Sequence, residues 1–266
     1  MTIYAVGDIH GYADELDRAL GLIEADGGPD ARIVFMGDYT DRGPDSRGVL
    51  DRLIEGLTAR RNWIAIQGNH DRMFLRFLTE GRENDSRIKS GLSWMNKRLG
   101  GPSTLGSYGL GGEGAAFLQA ANGGVETLAS YDVAGSPLDR EELVMRAREA
   151  VPQAHKQFLA QRPLWHREEG LLFVHAGLRP GVALEDQDED DLLWIRDGWL
   201  DDPRDHGPLV VHGHTALDFP QHYGNRLNTD AGAGYGNPLV PVAIEGRDAF
   251  ALTPRGRVAL NLGSSA

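Results

Sequence analysis

The amino-acid sequence predicts an α/β protein, a sandwich of two β-sheets flanked by helices, with a helical insertion in the middle of the chain. Short β-branched runs alternate with helical patterns through the first third of the sequence, which is typical of α/β winding. Strand-like runs return after residue 170. The chain has 266 residues, which is enough to bury a substantial core, and we predict a single domain over residues 1–266.

The first third of the chain is predicted to contain three strands, each ending in glycine and polar residues. Thr2–Val6 predicts a buried strand, followed by a helix from about Ala13 to Ala25. Arg32–Met36 predicts the next strand, a helix follows over Ser46–Ala59, and Trp63–Ile66 predicts the third strand. Ligands of open α/β sheets collect at the carboxyl ends of strands, so three such ends predict one site.

Residues 72–170 are predicted to form a predominantly helical insertion or lid, because glycine pairs such as Gly111-Gly112 interrupt a helical pattern there. A connection this long inside a compact domain is structured or functional rather than plain loop. We therefore expect Arg82–Gly124 to pack beside the polar strand ends and to select the leaving group. The alternative is a distal decoration used for stability or self-association. Five further strands are predicted after the insertion, at Leu171–His175, Leu209–His212, Arg226–Thr229, Leu239–Ile244 and Ala249–Thr253.

The composition excludes several classes of protein. Asp and Glu number 39 against 27 Lys and Arg, a net charge of −12, which argues against nucleic acid and an anionic membrane surface as partners. The absence of cysteine excludes disulfides, thiolate metal ligands and the cysteine-based phosphatases. No apolar run reaches the roughly 18 residues of a membrane helix, and the N-terminus lacks the pattern of a signal peptide, so we expect a cytoplasmic protein.

Six polar side chains at the predicted strand ends form a candidate metal site. Carboxylate, amide and imidazole ligands without sulfur suit Mn²⁺, Fe or Zn²⁺ better than Cu(I). Six ligands are too many for one catalytic metal, which must keep an open position, but they suit two metals that share a carboxylate. We therefore predict two divalent metal ions, with Mn²⁺ as the first choice. The pair would stabilise the attacking and leaving oxygens of an in-line displacement at phosphorus. The candidate ligands are Asp8, His10, Asp38, Asn69, His175 and His214.

Five motifs, each closing an apolar strand, carry this candidate chemistry. They are Gly7-Asp8-Ile9-His10-Gly11, Gly37-Asp38-Tyr39-Thr40-Asp41-Arg42-Gly43, Gly68-Asn69-His70-Asp71, His175-Ala176-Gly177 and Gly213-His214-Thr215. Together they resemble the motifs of the metal-dependent phosphoprotein phosphatases, within the calcineurin-like metallophosphoesterase superfamily. The resemblance is strongest to bacterial and phage serine/threonine phosphatases, and it covers both ends of the chain but the middle poorly. It implies the calcineurin-like sandwich of two β-sheets flanked by helices.

The resemblance also implies a role for each motif residue. Asp38 would bridge two metals, and a hydroxide held between them would attack phosphorus. His70, paired with Asp41, would protonate the leaving oxygen, and the aspartate would favour the imidazolium. Arg42 and Arg196 would bind phosphate oxygens through planar forks that lysine lacks. In this scheme the first metal takes Asp8 and His10, and the second takes Asn69, His175 and His214.

The predicted function is a metal-dependent phosphomonoesterase, in the first place a serine/threonine protein phosphatase with broad small-phosphate activity. Its partners would be a phosphorylated protein or a small phosphate ester; the sequence predicts no oligomeric state. Gln67 stands where those phosphatases usually have Arg, and Asp71 where they usually have Glu. Both departures lean towards the diadenosine tetraphosphate hydrolases, whereas Asp41 is a residue that this group typically lacks. A dinucleoside polyphosphate hydrolase is therefore the alternative, and a catalytically dead phosphate-binding module, disfavoured by the complete ligand set, is a remote one.

Other residues receive structural predictions. Alternation on a strand would place His212 and His214 on one face, but the resemblance needs only His214, so we expect His212 to support the site or the core. A nucleobase could stack on Trp94, Trp165, Trp194 or Trp199, yet burial in the core is commoner for such side chains. Gly232, Gly234 and Gly236 predict a turn between C-terminal strands, because they do not follow the dinucleotide-binding pattern.

Overall fold

Two mixed β-sheets pack face to face at the centre of the molecule, and helices cover their outer faces. The computed structural model describes residues 1–110 and 140–262. Alternate residues of the first strand show the layering: Ile3 and Ala5 face the second sheet, in one cluster with Phe173, whereas Tyr4 and Val6 face the helices. The predicted α/β sandwich of two sheets flanked by helices is confirmed.

The first sheet combines the three strands of the N-terminal third with three strands from the C-terminal part of the chain. Its strands are β1 (Thr2–Val6), β2 (Arg32–Phe35), β3 (Trp63–Ala65), β9 (Val242–Glu245), β10 (Asp248–Thr253) and β11 (Gly256–Ala259). Their order across the sheet is β11-β10-β9-β1-β2-β3. β1, β2 and β3 run parallel, with Ile3 opposite Arg32, so their carboxyl ends meet at the same edge. β9 joins β1 antiparallel.

The second sheet supplies the remaining strand ends. Its strands are β4 (Trp165–Glu168), β5 (Leu171–Val174), β6 (Leu209–His212), β7 (Gln221–His222) and β8 (Arg226–Asn228). Their order is β4-β5-β6-β8-β7, with β5, β6 and β8 parallel. Arg32 on β2 pairs with Glu168 on β4 over 2.9 Å and thereby ties the two sheets together.

Seven α-helices lie within the described residues. They are α1 (Ala13–Gly27), α2 (Ser46–Thr58), α3 (Asn69–Glu80), α4 (Gly101–Ser107), α5 (Arg140–Ala150), α6 (Gln153–Ala160) and α7 (Glu189–Trp194), with 3₁₀ turns at Leu184–Asp186 and Ala233–Tyr235. Asp45 caps α2 by accepting a hydrogen bond from the Gly48 amide over 2.8 Å. Within residues 1–110 and 140–262, no helix has both the length and the apolar character needed to cross a membrane.

One predicted strand begins later in the structure, and three strands of the structure, β4, β7 and β11, were not predicted. The strand predicted over Leu239–Ile244 begins only at Val242, because Pro241 has no amide hydrogen to give to a ladder. β4 lies inside the segment predicted as helical, since its polar sequence hides its pairing with β5. β11 is exposed along its whole length and therefore lacks the apolar signal of a buried strand.

Candidate metal centre

The six candidate ligands, far apart in sequence, are all buried. Asp8 lies in neither of the two groups described next, and its carboxylate accepts a hydrogen bond from the His214 amide over 3.1 Å. Two groups of side chains could each hold a metal ion. Asp38 groups with His10 and His70, and again with His175 and His214, with the donor atoms of each group within 4.8 Å of one another. Asp38 is thus common to both groups, which is the arrangement that a shared carboxylate requires.

The turns that carry these ligands adopt an unusual backbone conformation. His10, Asp38 and His214 have φ of 50°, 53° and 63°, in the left-handed region that residues with a side chain seldom enter. Asp41 and Arg42, with φ of 75° and 66°, continue the strained turn that begins at Asp38. Such conformations cluster at functional sites, where the surrounding structure holds them in place.

Asp71 fixes the Asp38 turn to the start of α3. Its carboxylate accepts hydrogen bonds from the amides of Asp38, Tyr39 and Gly68 over 2.8, 2.9 and 3.0 Å. Burial and the neighbouring Asp38 raise the pKa of Asp71 to about 8. The residue that departs from the protein-phosphatase pattern therefore acts as the support of the Asp38 turn and as a helix cap.

Backbone carbonyls orient the imidazole rings. The Nδ1 atoms of His10 and His175 lie 2.9 and 2.8 Å from the carbonyl oxygens of Thr40 and Met36, so their Nε2 atoms face the centre of the site. His175 Nε2 lies 3.5 Å from Asp38 Oδ1. His214 Nε2 is buried with no hydrogen-bond partner among the residues that the structure describes.

The electrostatics of the site favour cation binding. Burial, together with Asp230 and Asp38, raises the pKa of Asp8 well above its usual range. Burial likewise lowers the pKa values of His10 and His214, which keeps their rings neutral. Crowded carboxylates and neutral imidazoles are what a divalent cation needs from its ligands, so these residues fit the predicted metal pair.

His70 and Asp41 form a buried pair beside the candidate ligands. His70 Nδ1 lies 2.6 Å from Asp41 Oδ2, and the other carboxylate oxygen accepts a hydrogen bond from Thr104 Oγ1 over 2.7 Å. Burial raises the pKa of Asp41 to about 7 and lowers that of His70 to about 3. The predicted contact is present, but burial opposes the imidazolium that we expected the aspartate to favour.

The two candidate phosphate-binding arginines reach the same centre. Arg42 places its terminal nitrogens 2.5 Å from His10 Nε2 and 3.1 Å from His70 Nε2. Arg196 donates a hydrogen bond to the carbonyl oxygen of His214 over 3.0 Å, and burial lowers its pKa. Both guanidinium groups line the cleft that opens over the site.

That cleft has a volume of about 550 Å³. Its floor contains Asp38 and His70, and its walls come from residues 86–90 and residues 194–197. The described part of Arg82–Gly124 therefore packs beside the candidate site, as expected. Residues 111–124 of that segment lie outside the described residues, and selection of the leaving group stays a prediction.

His212 lies apart from the candidate ligands. β6 ends at His212, and the left-handed φ of His214 breaks the alternation that would have put both rings on one face. The His212 ring is buried against Trp199, with ring centroids 5.6 Å apart. The expectation of a shared face was wrong for this reason, whereas His212 does occupy the core, as proposed for it.

Sequence reasoning missed several residues of the site. Asp230 closes β8 as Asp8 closes β1, and an Asp directly after a predicted strand could have indicated it. Trp94 and Thr104 contact Asp41 from the insertion, and no local pattern indicates a contact over such a sequence separation. Tyr235 belongs to the predicted glycine turn, which is present but lies beside Arg42.

The fold and the buried cluster of Asp, His and Asn side chains define a metal-dependent phosphoesterase. The sequence pattern of the calcineurin-like phosphoesterases matches residues 1–240, and the chain belongs to that family. This result agrees with the resemblance of the sequence motifs to the calcineurin-like metallophosphoesterase superfamily.

Relatives within the family carry hydrolase names. The chain is 32% identical over 185 residues to a symmetrical bis(5′-nucleosyl)-tetraphosphatase of Methylococcus capsulatus, a match to 70% of this chain but only 46% of that protein. It is 24% identical to the asymmetrical bis(5′-nucleosyl)-tetraphosphatase PrpE of Bacillus mycoides, over 88% of this chain and 87% of the relative. A solved structure provisionally described as a diadenosine tetraphosphatase shares the fold, with a TM-score of 0.58, 21% identity and coverage of 98% and 95%.

Proposed function

We propose that this phosphoesterase hydrolyses dinucleoside polyphosphates of the diadenosine tetraphosphate type. The observation that carries the proposal is the cleft of about 550 Å³ above the candidate metal centre, which is far larger than one phosphate group. The names of the relatives support the same substrate class. We therefore prefer a dinucleoside polyphosphate hydrolase, which was the alternative prediction from the sequence, to a protein phosphatase, which was the first.

The charge of the cleft walls supports a substrate with several phosphates. Arg87, Lys89 and Arg179 line the cleft beyond the two arginines at the candidate metals. Arg179 is held by Asp191 over 2.6 Å, and Lys89 by Asp197 over 2.5 Å. Arg87 lies 3.4 Å from Asp191 and is paired more weakly. A monoester needs cations only around its one phosphate, so further guanidinium groups suit the additional phosphates of a polyphosphate.

The reaction breaks one P–O–P linkage by addition of water and releases two nucleotides. Two divalent ions, when bound by the candidate ligands, would polarise the phosphate and lower the pKa of a bound water. Arg42 and Arg196 would orient the phosphate oxygens with their planar forks. His70 is held at Nδ1 by Asp41, and its Nε2 lies 3.1 Å from Arg42. His70 would give a proton from Nε2 to the departing phosphate oxygen only after the ring has gained a second proton.

Parallel assays of the Mn²⁺-loaded enzyme test the proposal. The substrates are diadenosine tetraphosphate, a phosphoserine peptide, p-nitrophenyl phosphate and bis(p-nitrophenyl) phosphate, with the Asp38→Asn variant as the control for contaminating activity. We expect the highest kcat/KM for diadenosine tetraphosphate. A higher kcat/KM for the phosphopeptide would instead favour the protein phosphatase, and binding without turnover of any substrate would favour the phosphate-binding module.

A further inference from the structure

Tyr235 stands beside the candidate metal centre with its side chain exposed to solvent. Its exposed fraction is 70%, high for a tyrosine at an active site. The guanidinium carbon of Arg42 lies 4.8 Å from the centre of the ring, which is the distance of a cation–π contact. The ring is therefore anchored by Arg42 and still open to solvent over most of its surface.

The turn that carries Tyr235 is held firmly against the site. A Cβ atom on Gly234 would lie 2.4 Å from His10 Cδ2 and 2.7 Å from Arg42, so only glycine permits this close approach. Asp230 accepts a hydrogen bond from the Gly232 amide over 2.9 Å at the start of the turn. The position of the Tyr235 backbone is thus fixed relative to His10 and Arg42 before any substrate binds.

Arg42 contacts the Tyr235 ring and also lines the cleft. Arg42 lines the cleft together with His70, whereas the described lining of the cleft does not include Tyr235. A phosphate held by Arg42 would therefore lie close to both the cleft and the Tyr235 ring. A substrate with a nucleoside at each end of a phosphate chain could extend towards both.

We propose that Tyr235 is a stacking platform for one nucleobase of a dinucleoside polyphosphate whose phosphates lie at Arg42. This inference rests on the proposed function and names a subsite for it. Aromatic side chains stack on any nucleobase, because every base has a π-face. Such stacking does not select one base over another. The competing explanation is that Tyr235 only positions Arg42. Removal of the Tyr235 ring would then weaken the binding of every phosphate or phosphonate ligand to the same extent.

Competitive inhibition of the metal-loaded enzyme separates these explanations. The reporter reaction is whichever phosphate ester the wild-type enzyme turns over, and the inhibitors are ADP, which has a base, and methylenediphosphonate, which has none. The variants are Tyr235→Ala, Tyr235→Leu and Tyr235→Phe. Tyr223→Ala is the matched control, because Tyr223 also packs over an arginine, with Arg226 at 4.1 Å. Calorimetric titration of ADP into each metal-loaded variant gives the same comparison without turnover.

We expect Tyr235→Ala and Tyr235→Leu to raise the ADP inhibition constant about tenfold, while Tyr235→Phe and the control leave it unchanged. The methylenediphosphonate constant should stay the same in every variant. Equal weakening of both inhibitors, or of neither, would overturn the platform. Failure of the wild-type enzyme to hydrolyse diadenosine tetraphosphate would count against the proposed function instead, since the ADP comparison does not depend on that substrate.

Discussion

The indole Nε1 of Trp94 donates a hydrogen bond to Oδ2 of Asp41 over 2.7 Å, the same carboxylate oxygen that faces His70. Both Trp94 and Asp41 are fully buried. The part of the insertion between α3 and α4 therefore reaches the His70–Asp41 pair through a specific polar contact as well as through packing. This contact assigns Trp94 the part of a positioning residue for the candidate acid.

Trp94→Phe should lower kcat about tenfold and leave KM nearly unchanged, because it removes one hydrogen bond to a buried carboxylate while keeping an aromatic ring. The loss should be larger for an alkyl phosphate than for p-nitrophenyl phosphate, whose leaving group needs less help from an acid. Steady-state kinetics on both esters measure it. Trp199→Phe is the control, since Trp199 Nε1 has no partner in the described part of the chain. Equal losses in the two variants would contradict the positioning role.

Asp38→Asn should remove most of the activity and lower the metal content of the protein. The change takes one negative charge from between two cations that would otherwise repel each other. Elemental analysis and the rise in Tm on addition of Mn²⁺ measure the loss, because an ion that binds only the folded state stabilises it. Full activity with a single bound metal per chain would rule out the binuclear centre.

His70→Asn should lower kcat by roughly 10²- to 10⁴-fold, the usual range for loss of a general acid, while the metal content stays that of the wild type. The metal measurement is decisive here because His70 also belongs to one of the two groups that could hold an ion. Loss of metal together with activity would mean that His70 is a ligand. An equal loss on alkyl and p-nitrophenyl phosphates would mean that it is not the acid.

Arg196→Lys should lower kcat/KM about tenfold, because lysine keeps the charge but loses the planar fork that matches two phosphate oxygens. Metal content should not change, since Arg196 contacts the backbone of His214 rather than its ring. Kinetics on p-nitrophenyl phosphate, with metal analysis of the same sample, provide the measurement. A fully active lysine variant would show that Arg196 has been assigned wrongly.

Glu168→Gln should lower the free energy of unfolding by about 1 kcal/mol near neutral pH, since Glu168 joins the two sheets through Arg32. Burial alone would raise the pKa of Glu168, but hydrogen bonds from Arg32 and the proximity of the His166 ring lower it overall. A lowered pKa stabilises the fold above the pKa of the unfolded chain, and that stabilisation is lost as the pH falls through the folded value. Urea unfolding at neutral and acidic pH should therefore show a difference between variant and wild type that shrinks in acid. Glu80→Gln, at an exposed surface pair, serves as the control.

The strand-end ligands could be predicted from the sequence because each follows an apolar run within a few residues, where local pattern and chemistry coincide. Contacts between segments far apart in the sequence could not be predicted in this way. Thr104 and Trp94 approach Asp41 from a segment whose own sequence shows only helical and glycine patterns. The left-handed conformation of His214 could not be predicted either, because a turn after β6 leaves no periodic pattern in the sequence.

Asp38 belongs to both groups of candidate ligands, and this has a consequence for the response of the protein to its surroundings. Two binding equilibria that share one carboxylate are thermodynamically linked, so occupancy of one site changes the affinity of the other. If both ions are needed for turnover, the weaker site sets the ion concentration at which activity begins. The supply of free divalent ions would then control the fraction of competent protein at constant substrate and protein levels.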